Sequence, residues 1–180
     1  NHEGALINKR NRKRLNFQAE ENNITTQSIL SEENLTFCKK LPPSMEIDDI
    51  LFVHGFPPDS YHTYLKNCSD KKILKLFTDG THRLYFVGHT HTLSFIQFSN
   101  NDILRNRISC GLHKLDPQAK YIVNCGSVGQ PRDGNNMAKY ILLDTSENSF
   151  DVVCLKYNVE KTISKINQRG FPSVYGTRLR

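Results

Sequence analysis

The chain has 180 residues and a mass of 20.7 kDa; 37% are hydrophobic, 9% are aromatic, and mean hydropathy is -0.53. That is enough for one domain with a core, and no apolar run approaches the ~18–20 residues of a membrane-spanning helix. The net charge of +6 concentrates in "NKRNRKR" (8–14) and "GTRLR" (176–180); without interleaved aromatics it reads as a solvated face, so nucleic acid is not an expected partner.

Good helix formers over residues 4–18 predict a basic helix with Ala5, Leu6, Leu15 and Phe17 as its inner stripe. A second helix is expected over 25–40, with Ser31 as an internal cap signal and "LPPS" (41–44) as its stop. The period then changes. "ILFV" (50–53) and "LYFVG" (84–88) are apolar runs of the kind buried on both faces of a parallel sheet. Between them lie a loop with a short helix and a helix over 70–78. "LSFIQFS" (93–99) alternates as a half-wet strand does and pairs with 103–109 through the turn "NND". "KYIVNCGSVGQPRDGN" (120–135) is a strand running into a glycine- and proline-rich loop. Residues 138–145 and 149–157 form a further hairpin, and an amphipathic helix over 159–170 stops at Gly170. The order predicts an α/β sandwich in a single domain, 1–180.

Cys38, Cys68, Cys110, Cys125 and Cys154 are odd in number, widely spaced and free of any C-x-x-C pair. Neither a disulfide framework nor a cysteine zinc site is expected, and a reducing, cytoplasmic compartment suits them. No secretory leader is apparent either. The three Asn-x-Ser/Thr matches at Asn23, Asn34 and Asn67 are therefore read as chance.

The polar residues that end the two apolar strands carry the chemistry. His54 follows "ILFV" and precedes Gly55; His89 and His91 follow "LYFV" and Gly88. Strand carboxyl ends are where open α/β sheets build sites. In an extended H-T-H stretch, residues two apart face one side, so His89 and His91 are expected to converge, and neutral imidazoles suit zinc, manganese, iron or nickel. His62, His82 and His113 match no motif and read as surface residues. Arg132 and Asp133 are expected to form a turn-stabilising salt bridge. Cys125 has no base placed to make it a nucleophile.

"NHE" at the start, "VHG" (53–55), "GHTH" (88–91) and "NCGSVGQPRDGN" (124–135) occur in that order. Together they resemble the calcineurin-like metallophosphoesterases, in particular the small bacterial-type phosphodiesterase branch, over residues 1–144. The resemblance implies an α/β/β/α sandwich of two mixed sheets flanked by helices. It also implies two divalent metal ions, manganese foremost with zinc, iron or nickel as alternatives. Asn1, His54 and His89 match ligands of the second metal, and His91 matches a ligand of the first. His2 matches the general acid, and Glu3 the carboxylate that orients it. The substrate class implied is a small phosphate ester or nucleotide, with no membrane partner.

The family's upstream D-x-H and G-D motifs have no counterpart here. The chain is therefore expected to be the C-terminal portion of the domain, N-terminally truncated, with the first strands absent. The alternative is an inactive fragment or scaffold of the same fold that serves as an interaction module.

Overall fold

Asparagine and serine side chains set where the second, third and fourth helices begin. In the computed structural model, which describes residues 1–180, the chain forms two compact units, Asn1–Pro43 and Ser44–Arg180. The helix expected over 4–18 is instead α1 (His2–Ile7), α2 (Lys9–Arg12) and the start of α3 (Phe17–Ile29). Asn8 accepts from the Arg10 N–H at 2.9 Å and Asn16 from the Ala19 N–H at 2.9 Å. Such short-range acceptors begin a new helix more readily than they continue an old one. Ser31 likewise accepts from Asn34 N–H at 3.3 Å and divides the second expected helix into α3 and α4 (Glu32–Lys40).

In this unit α1 packs against α2, α3 and α4. The inner stripe keeps Ala5 and Leu6, but Phe17 is 76% exposed. Its place is taken by a polar network. Arg12, read as part of a solvated face, is buried; its Nε donates to Ala5 O and Asn23 Oδ1, and its Nη2 to Gln27 Oε1. A guanidinium supplies the donors that the carbonyls ending a short helix lack. Asn23, held there, donates to His2 O at 3.1 Å.

The second unit carries two sheets. The first has six strands in the order β1 (Ser44–Ile47), β2 (Ile50–Val53), β3 (Leu84–Val87), β7 (Lys120–Cys125), β4 (Leu93–Ser99) and β5 (Asp102–Arg107). β2, β3 and β7 are parallel, while β1, β4 and β5 join antiparallel. The second sheet is antiparallel in the order β6 (Gly111–Lys114), β9 (Ser149–Leu155), β8 (Ala138–Asp144).

Alternation divides the core. Ile50, Leu84, Phe86, Tyr121 and Val123 join Phe150 and Val152 of the second sheet in one apolar cluster. Leu51, Val53, Tyr85, Val87 and Ile122 point the other way and join Ile73 and Phe77 of α5 (Asp70–Asp79). Burial of each such side chain contributes roughly 1.5–3 kcal/mol, which holds the strand ends in place. Beyond β9, α6 (Val159–Gln168) packs on α7 (Val174–Thr177).

One thiol expectation is corrected. Cys110, just before β6, and Cys154 of β9 form a disulfide, with Cα atoms 5.8 Å apart. A separation of 44 residues gives no sign of this in the sequence; strand pairing creates it. Cys38, Cys68 and Cys125 are free.

Candidate metal centre

β2 and β3 run in parallel with Phe52 opposite Phe86, so the residues just beyond their carboxyl ends lie side by side. Gly88 N–H donates to His54 O at 2.9 Å. A Cβ at Gly88 would stand 3.4 Å from His54 Nδ1, so the absence of a side chain lets the imidazole lie close to the backbone. The rings of His54 and His89 are 4.9 Å apart, and Tyr64 stacks on His89 at 3.9 Å.

The reason for expecting His89 and His91 to converge is corrected. Neither is extended: φ is 64° at His89 and 58° at His91, and the Thr90 N–H closes a tight turn onto Gly88 O at 2.7 Å. Period-two alternation does not apply to left-handed backbone. His89 turns to His54 and Tyr64, while Nδ1 of His91 bonds Gln130 O at 2.7 Å. Left-handed φ costs of order 1–3 kcal/mol at each such residue and is concentrated at functional sites.

Asn124, fully buried at the end of β7, holds this turn. Its amide donates to Gly88 O at 2.8 Å and to Thr90 Oγ1 at 2.7 Å, and its Oδ1 accepts from Gly126 N–H at 3.1 Å. The loop that follows closes over His91, whose carbonyl accepts from Arg132 N–H at 2.9 Å. The expected Arg132–Asp133 pair is replaced. Asp133 takes the buried Lys139 ammonium at 2.8 Å and accepts from Leu93 N–H, whereas Arg132 donates to Gln130. Burial pushes the Cys125 thiol up to about 12, so it stays protonated near neutrality.

Backbone carbonyls fix two tautomers. A carbonyl only accepts, so His91 Nδ1 and His89 Nε2, the latter 3.2 Å from His62 O, carry the protons. The lone pairs then lie on His91 Nε2 and His89 Nδ1. This is the orientation that a second partner gives metal-ligating imidazoles. Burial, the largest cause, lowers the pKa of His91 from its usual 6.5; the Gln130 bond opposes this, and the charge of Arg132 adds to it. His62 and Tyr64, which match no motif, thus lie against His89, and Asn124, the first residue of the "NCGSVGQPRDGN" segment, holds the turn that carries both histidines. His82 and His113 are half-buried rather than at the surface, beside Glu46 and stacked on Phe150 respectively.

In the first unit, Asn1 precedes α1 without capping it. Its Oδ1 is buried with no hydrogen-bond partner. His2, in the first turn, has an exposed side chain, and the Glu3 carboxylate lies 3.9 Å from the Asn1 amino nitrogen.

A solved metallophosphoesterase from Sphaerobacter thermophilus superimposes with a TM-score of 0.79 at 29% identity, over 99% of this chain and 73% of its own. This likeness supports the resemblance to the calcineurin-like metallophosphoesterases that the sequence motifs carry. A hypothetical protein from Pyrococcus horikoshii shares the fold at 13% identity, with a TM-score of 0.69 over 99% of this chain and 69% of that one. An uncharacterized protein of Methanocaldococcus jannaschii is 32% identical over 162 residues, 87% of this chain; the chain spans 63% of that relative's length. No protein-family profile matches.

A metallophosphoesterase fold implies divalent metal ions, and the donors in hand fit them in part. Within the second unit, imidazoles oriented by backbone carbonyls are donors that suit a divalent cation. No three His, Cys, Asp or Glu side chains gather into one metal-binding group. No helix is long and apolar enough to cross a membrane.

Proposed function

We propose that this chain supplies the histidine half of a metal-dependent phosphoesterase that hydrolyses small phosphodiesters or phosphomonoesters in the cytoplasm. The observation that carries this reading is the pair His89 and His91. Both are held in left-handed backbone, and each is bonded through one ring nitrogen to a carbonyl.

In this reading His54 and His89 serve one divalent ion and His91 another, manganese foremost. Such ions supply the positive charge that polarises a phosphoryl oxygen and lowers the pKa of water. His54 and His89 lend nitrogen donors at adjacent strand ends. Tyr64 and the His62 carbonyl fix the ring of His89, and Gln130 fixes that of His91. His2 holds a proton and gives it to the departing ester oxygen, a task suited to an imidazole.

That role sets the test. An alkoxide leaving group needs the proton, whereas a nitrophenolate, stable at neutral pH, does not. With added Mn2+, slow turnover of both bis-p-nitrophenyl phosphate and a 2′,3′-cyclic nucleotide is expected. His2→Asn should depress the second by about a hundredfold or more while largely sparing the first. No Mn2+-dependent turnover of either would contradict the reading and leave a scaffold that keeps the fold.

A further inference from the structure

Beside Thr90 and Thr92, within the second unit, lies a cavity of about 440 Å³, a volume that takes a ligand of nucleotide size. Four cationic side chains line it, Lys66, Arg105, Arg107 and Arg132, and no aspartate or glutamate does. Arg105 is partly neutralised from outside, since its Nη2 lies 2.8 Å from Asp70 Oδ1 and also donates to Cys68 O. Arg107, two residues on and on the same strand face, stands opposite Ser94 in the β4–β5 register. It makes no ion pair.

The cavity is joined to the histidines at two points. Arg132 N–H holds the His91 carbonyl at 2.9 Å. The Lys66 ammonium lies 5.5 Å from the ring centre of Tyr64, which stacks on His89. Like charges gathered in one concave wall repel each other and raise the local concentration of anions. Guanidinium groups in particular present forked donors matched to phosphate oxygens. Leu65 and Phe95 give the same cavity apolar wall against which an organic portion can lie.

We propose that this cleft binds a second phosphate, so that the substrate class is a nucleotide-sized phosphoester carrying another phosphate besides the one attacked. The word substrate rests on the phosphoesterase reading; the anion site itself does not.

Calorimetry in the presence of a chelator tests the site without catalysis. Adenosine 3′,5′-bisphosphate is expected to bind about tenfold more tightly than adenosine. Arg107→Gln should bring the two within about twofold, and Arg107→Lys should restore part of the preference. Equal affinity for both ligands in the unaltered chain would overturn the proposal. So would a preference that survives replacement of both Arg107 and Lys66 by glutamine in a chain with unchanged circular dichroism. Tighter binding of a single-stranded oligonucleotide than of the bisphosphate would also overturn it, in favour of a polymer site. Because metal is absent, a failed hydrolysis assay leaves this result standing, and a failed preference leaves the hydrolysis result standing.

Discussion

Asn124 holds the turn at 88–91 through one side chain: two donated bonds, to Gly88 and Thr90, and one accepted, from Gly126. Replacing it with alanine leaves buried partners unsatisfied, at about 1–3 kcal/mol each where water does not enter. Asn124→Ala is therefore expected to lose about 2–4 kcal/mol in urea titration, and to lose divalent-ion binding even at temperatures where it is folded. His91 adds a pH dependence in the metal-free chain. Its folded pKa is below the usual 6.5, so the unfolded chain binds the proton more readily. Its contribution to stability is complete above pH 6.5 and is lost as pH falls from there through the lowered value. Melting temperature followed from pH 7.5 downward should show an extra acid-side decline that His91→Gln removes. An unchanged profile would refute the assignment. At this scale the histidines are legible in the sequence, because glycine and histidine end two apolar runs. Their left-handed backbone is not, and neither is the part played by Asn124, whose partners lie 34 and 36 residues away.

Elements show the same division. β2 and β3 are readable because strands covered on both faces become continuous apolar runs. β1 and β6 are four residues each, with no buried residue, and offer no apolar run to read. The asparagine caps at 8 and 16 compete with helix propensity through bonds that composition does not reveal. β9 and the residue just before β6 carry the Cys110–Cys154 bridge, which removes two thiols from the case for a reducing compartment. In denaturant without reductant, three of the five cysteines should react with a thiol reagent, and all five after reduction. Five reactive thiols before reduction would contradict the pairing.

The second unit joins a mixed sheet, two of whose parallel strands lead into histidines, to a second sheet that closes the core behind it. The resemblance in four short motifs and the superposition on a solved metallophosphoesterase agree on the fold. No residue pattern in the chain discloses the basic cavity, because Lys66, the β5 arginines and Arg132 meet only through folding. The central claim is that His54, His89 and His91 are metal donors. It is tested most directly by titrating the metal-free chain with Mn2+ and following the free ion by electron paramagnetic resonance. Mn2+ uptake that falls tenfold or more in each of His89→Ala and His91→Ala, with melting temperatures little changed, is the predicted result. Uptake that is absent, or that persists unchanged when both histidines are replaced, would contradict it.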